Sequence, residues 1–137
     1  MATRGIRNNN PLNIRRGSRW VGLSAEQPDP VFCTFKSPLY GLRAAFIILR
    51  RYIEVYHLRT IAQMISRWAP KSENKTEQYI KYVCDVTQIP KDATIDTQEK
   101  MRLCAIVAAM SAYECGQPCT IQEVTTAYNM VFKNANP

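Results

Sequence analysis

Histidine is nearly absent from this chain: His57 is the only one in 137 residues. A Cys/His metal centre is therefore not expected, since the five cysteines have one distant imidazole to work with. No apolar run approaches the roughly 18 residues that a membrane-spanning helix needs. The first residues also lack the apolar core of a secretory leader. The sequence thus points to synthesis in the cytoplasm, with any action at a cell wall reached through a virion, lysis or a secretion machine. Internal repeats and low-complexity segments are missing too. Acidic residues are few, 11 against 18 lysines and arginines, and the net charge is +7. That surplus draws the chain toward something anionic: nucleic acid, an acidic membrane face or the polymers of a bacterial wall.

The cysteine count is odd. Cys84 and Cys104 fall within apolar helical patterns and read as core thiols. Cys115 and Cys119 flank a turn and are placed to pair, but the missing leader argues against a required disulfide.

The length fits one domain, residues 1–137, mainly α with a minor β component. Residues 1–36 read as an asparagine-rich loop and a small β lobe, and 37–132 as a helical body. "VFCTF", 31–35, is a strand candidate that would pair near Trp20 to Leu23. Five helices follow. The first, about 38–57, is capped by Ser37 with Pro38 at its first position, and Leu39, Leu42, Ala45, Phe46, Leu49, Ile53 and Tyr56 form its apolar face. Thr60 caps "IAQMISRW", which stops before Pro70. "KSENKT" reads as a loop and "EQYIKYVCDV" as the third helix, burying Tyr79, Ile80, Val83 and Val86. Asp96 or Thr97 caps the fourth helix, which runs to about 114. Thr120 opens the fifth, with Glu123 placed for a capping box.

The fourth helix carries the chemistry. Leu103, Ile106, Val107 and Met110 form a stripe, and four residues further along it stands Glu114, just before the helix stop Gly116. Partial burial and the negative end of the helix dipole both disfavour a charge there. A glutamate so placed can stay protonated near neutral pH and act as a general acid. The blander alternative is a frayed helix end with Glu114 turned outward onto an arginine.

"RGIRNNNPLNIRRGSRWVGL", "FCTFKSPLYGLRA", "TIAQMISRWAPKSENKTEQYI" and "SAYECGQP" resemble, in order and over nearly the whole chain, a family of small phage-associated proteins. These are often called virion structural proteins and look lysozyme-like or lytic-transglycosylase-like. The order of motifs also resembles bacterial wall glucosaminidases, in which a helix ending in glutamate precedes such an asparagine loop. Here that helix, "LCAIVAAMSAYECG", comes last, so the resemblance implies a circularly permuted lysozyme-like fold.

The resemblance implies cleavage between N-acetylmuramic acid and N-acetylglucosamine in peptidoglycan strands, without a cofactor. Glu114 would be the acid. Glu26 and Asp29 are the candidates for a second carboxylate; without one, the substrate's own groups would assist, as in lytic transglycosylases. Asn8, Asn9, Asn10 and Asn13 would line the groove opposite Glu114 and bind sugar amides and hydroxyls. Arg15 would attract the wall, Trp20 and Trp68 would stack on sugars, and Tyr79 and Tyr113 would orient the glutamate. Two departures from the family pattern stand out: Cys115 where a small polar residue is expected, and Leu12 where glycine is. The competing readings are a virion or wall-binding protein without turnover and a basic nucleic-acid-binding helical domain. The arginines are too mixed with apolar residues along the first long helix for a DNA-reading face, so nucleic acid is the less expected partner.

Overall fold

The computed structural model describes residues 2–70, 72–117 and 119–132; Met1, Lys71 of the expected loop, Pro118 and the last five positions of the proposed domain lie outside them. The chain is mainly α. Its elements are α1 (Arg4–Arg7), α2 (Pro38–Glu54), α3 (Ile61–Trp68), α4 (Glu73–Thr87), α5 (Lys100–Cys115) and α6 (Ile121–Val131).

α5 is the axis. Its buried residues, Leu103, Cys104, Ile106, Val107, Ala109, Met110 and Ser111, span more than half of its circumference, leaving Met101, Ala105, Ala108 and Ala112 on the open side. A helix with so wide an apolar face needs several neighbours, and α4, α6, α2 and α1 all pack against α5. α2 lies chiefly on α6, where Phe46 meets the Tyr128 and Phe132 rings edge-on at 5.7 and 6.2 Å. α3 packs on α4.

Local chemistry sets most boundaries. Thr60 and Gln63 close a capping box on α3, and Thr120 and Glu123 close one on α6. Gly116, at φ 79°, ends α5 in the left-handed conformation that glycine adopts freely. Other boundaries differ from the sequence reading. α2 stops at Glu54, so Tyr56 is exposed, its ring against the Arg67 guanidinium at 4.3 Å rather than in the core. α4 begins four residues before the expected start, because the Ser72 hydroxyl accepts the Lys75 N–H and converts most of "KSENKT" into a first turn. Val86 is exposed on α4. Neither Asp96 nor Thr97 caps α5; the N-cap is Glu99, preceded by a turn in which Asp96 Oδ1 accepts the Gln98 N–H.

The first lobe is irregular. Strand 31–35 is reduced to two antiparallel bridges, Arg15 with Phe32 and Leu23 with Phe35. Residues 4–7, read as loop, form the single turn α1. The cysteines are free thiols, with Cys33, Cys104 and Cys115 buried and Cys84 and Cys119 half-buried. No described helix is long and apolar enough to cross a membrane.

Candidate active-site groove

Glu114 sits on the last turn of α5, half-buried, as a wall of a cleft of about 580 Å³ rather than within the core. Asn13 reaches it across 101 residues of sequence: its Nδ2 donates to Glu114 Oε1 at 3.0 Å and to the Glu114 carbonyl at 3.2 Å. The carbonyl fixes which end of the amide faces Glu114, since a flipped amide would set oxygen against two oxygens. Oε1 is thereby held as an acceptor.

The close approach depends on Gly5. A Cβ there would stand 2.9 Å from the Asn10 carbonyl, 3.0 Å from Asn13 Oδ1 and 3.1 Å from the Cys115 Cβ. Cys115 is thus a buried packing residue, its thiol donating to the Ser111 carbonyl at 3.1 Å. Burial pushes the thiol's pKa up.

Tyr79 and Tyr113 also line the cleft and stack with ring centroids 4.0 Å apart. The Tyr79 hydroxyl is buried and lacks hydrogen-bond geometry to any partner, yet it lies near enough to Glu114 to feel its charge. Burial first, then that carboxylate, hold its pKa well above the usual phenol range. Trp68 forms part of the rim and continues into a second compartment of about 590 Å³. Asn13 and Arg15 are common to both, so the two make one groove. Trp20 and Arg51 line the second compartment. Among the described residues three buried side-chain atoms lack a hydrogen-bond partner: Asn13 Oδ1, Trp20 Nε1 and Tyr79 OH. All three residues line this groove.

Several expected site residues are elsewhere. Asn8 donates to Asp29 Oδ2 and accepts the Thr34 hydroxyl. Asn9 donates to the Phe35 carbonyl. Asn10, fully buried, donates to the Ile14 and Cys33 carbonyls and accepts the Ile14 N–H. These three amides bind their own lobe, so the expectation that they bind sugar is corrected: only Asn13 faces Glu114. Asn9 and Asn13 also occupy left-handed backbone, at φ 51° and 53°, where asparagine is well tolerated. Leu12 needs no such conformation and is a core residue, which resolves that departure from the family pattern.

Asp29 does not supply a second carboxylate either. Both oxygens are engaged by the Arg4 fork at 2.6 and 2.7 Å, the Asn8 amide and the Val31 and Phe32 N–H groups. The Arg4 guanidinium, followed by those two backbone donors and Asn8, holds its carboxyl well below the usual carboxylate range. Asp29 is a clip joining α1 to the loop before Phe32. Glu26 is exposed and lines neither compartment. Phe32, Lys75, Gln78 and Arg51 line the groove without having been singled out in the sequence.

A larger depression, about 860 Å³, lies between α3 and α4 away from Glu114. Its walls mix apolar residues such as Ala62, Pro70 and Ile80 with solvated charges, Lys81 and Asp85 pairing at 2.6 Å. Among the described residues no three His, Cys, Asp or Glu side chains cluster as a metal site requires.

The sequence matches no family model. It is 40% identical over 136 residues to protein P5 of Pseudoalteromonas phage PM2, covering 96% of this chain and 83% of P5. An asparagine loop closed on a helix-end glutamate therefore sits in a chain that belongs to the family of this phage protein.

Proposed function

We propose that the chain cleaves the glycan backbone of peptidoglycan as a lytic transglycosylase, with Glu114 as its one acid/base, in a permuted lysozyme-like fold. The observation that carries this is the Asn13–Glu114 contact inside a groove in which Glu114 is the one carboxylate among the lining residues. A hydrolase of the two-carboxylate type needs a nucleophile or base about 5–10 Å from the acid; Asp29 is fully engaged and Glu26 lies outside the groove. An intramolecular route needs only the acid.

Glu114 Oε2–H donates its proton to the glycosidic oxygen as the bond from that oxygen to C1 of N-acetylmuramic acid breaks. The resulting carboxylate then takes the proton from the C6 hydroxyl of the same sugar, and O6 closes on C1. The products are a 1,6-anhydro sugar and a free 4-hydroxyl, with no water consumed and the glutamate restored to its acid form. Asn13 keeps Oε1 out of the exchange. Trp68, half-buried on the rim, gives a sugar a face to pack on.

The permuted fold is supported by the junction between the asparagine loop and the end of α5. The Thr3 hydroxyl donates to the Cys115 carbonyl at 3.0 Å, so α5 ends where the asparagine loop begins. Membership in a phage protein family supports delivery to the wall with a particle or at lysis.

Mass spectrometry of purified peptidoglycan after incubation with wild type and Glu114→Gln tests the reading. Anhydro-muropeptides are expected from wild type alone. Reducing-end products would replace the transglycosylase with a hydrolase. Binding without product from either protein would leave a wall-binding protein that lacks turnover.

A further inference from the structure

The second compartment differs in chemistry from the cleft that holds Glu114. Its floor is apolar, built from Ile47, Ile48 and Tyr52. Its charged lining residues are Arg15 and Arg51, with no carboxylate among them. Both arginines are exposed. Neither forms an ion pair among the described residues, although the Arg15 guanidinium lies 5.6 Å from the centre of the Phe32 ring. Two unpaired guanidiniums over an apolar floor ask for a ligand with carboxylates on short apolar units, which arginine's planar fork binds in pairs of hydrogen bonds. An uncharged sugar strand does not fit that description.

We infer that this compartment binds the peptide stem carried by N-acetylmuramic acid, with Arg15 and Arg51 receiving its free carboxylates. The inference rests on the glycan reading above and names which glycan is preferred: peptide-bearing strands over denuded ones. The connectivity agrees. The stem leaves the muramic acid through its lactyl ether, so a sugar held at Glu114 sends its peptide into the adjoining space. The space that adjoins past Asn13 and Trp68 is this one. Alanyl side chains of the stem would meet Ile47 and Ile48.

The experiment compares dissociation constants of Glu114→Gln protein for a peptide-bearing glycan oligomer and for the same oligomer stripped of peptide by an amidase. The ratio of the two constants is measured in this background and with Arg51→Gln, Arg15→Gln or Arg51→Lys added. Circular dichroism checks folding. The peptide-bearing oligomer is expected to bind at least roughly fivefold tighter, an advantage that shrinks with salt and falls toward one when either guanidinium is lost. Arg51→Lys should retain part of it, since charge remains while the fork is gone. Equal binding of the two oligomers would overturn the inference and leave the glycan reading standing. A ratio unchanged by both glutamine variants would overturn the assignment to this compartment. Binding of neither oligomer would remove the glycan reading and the inference with it.

Discussion

Replacing Asn10 should unfold the protein more readily, whereas replacing Asn13 should silence it. Asn10 Oδ1 accepts the Ile14 N–H, and Nδ2 donates to the Ile14 and Cys33 carbonyls, all at 2.9 Å and out of water's reach. In Asn10→Ala the Ile14 carbonyl keeps a partner, because it also accepts the Cys33 N–H at 2.9 Å. The Ile14 N–H and the Cys33 carbonyl lose theirs. An orphaned buried group costs about 1–3 kcal/mol, so the two together cost about 2–6 kcal/mol, a large share of a total stability of about 5–15 kcal/mol. Asn13 is different. Its partners are on the half-buried Glu114, where water can replace the amide, and its φ of 53° suits glycine. Asn13→Gly should therefore stay within about 1 kcal/mol of wild type. It also frees the Glu114 side chain to leave its working position, which should lower kcat/KM by about a hundredfold. Urea unfolding gives the stabilities and release of anhydro-muropeptides gives the rates. The reasoning is refuted if Asn10→Ala unfolds within about 1 kcal/mol of wild type while losing as much activity as Asn13→Gly. Asn10 would then have to face the ligand rather than its own loop.

Three further outcomes follow from the same geometry. Asp29 has a folded pKa below its unfolded value of about 4, so its contribution to stability is complete above about pH 5 and is lost as pH falls from about 4 toward the folded value; acid titration of unfolding should show a shallower decline below about pH 4 in Asp29→Ala than in wild type. Gly5→Ala sets a Cβ within 3.1 Å of Asn10, Asn13 and Cys115; a melt should show a loss of about 1–3 kcal/mol, and activity should fall further than stability because the displaced residue is the one holding Glu114. Tyr79→Phe removes a buried hydroxyl whose polar neighbour is Glu114, so stability should stay within about 1 kcal/mol of wild type, and a larger loss in a urea melt would show that the hydroxyl bonds Glu114 in the folded protein.

The parts of this molecule that were legible in its sequence are those decided by residues three or four apart. Thr60 with Gln63 and Thr120 with Glu123 are complete local devices, and both helices start where those pairs put them. Glu114 before Gly116 is equally local: the helix stop and the carboxylate on its last turn can be read without any tertiary contact. The asparagines were not legible, because the same side chain binds either its own lobe or a ligand, and the choice depends on what lies opposite. Asn8 meets Asp29 and Thr34, Asn9 meets Phe35, and Asn10 meets Cys33, all more than 20 residues away. For Asp29 a signal did exist: the residue stands two and three positions before Val31 and Phe32, whose N–H groups its Oδ1 accepts, an aspartate turn flanked by prolines that favours a clip over a free carboxylate. Arg51 gave none. On an amphipathic helix it reads as solvated, and only the position of Trp20 and Trp68 makes its surroundings a compartment.

The groove is built where two distant parts of the chain meet, and that arrangement has a mechanical consequence. Asn13 holds both the main chain and the side chain of Glu114, Thr3 holds the Cys115 carbonyl, and Gly5 rests on the Cys115 side chain. Three adjoining points thus fasten the first lobe to the end of α5. In a chain whose glutamate helix ran directly into its asparagine loop, a covalent link would hold this junction in place even if the lobe loosened. Here the junction is noncovalent, so the loop must be held from its other side, and the Arg4–Asp29 clip and the self-bonded Asn8, Asn9 and Asn10 do so. The density of asparagine and arginine in the opening segment follows from that requirement. Most of those side chains hold the lobe rigid, so that one amide, Asn13, arrives at Glu114 in a fixed orientation with one carboxyl oxygen held as its acceptor.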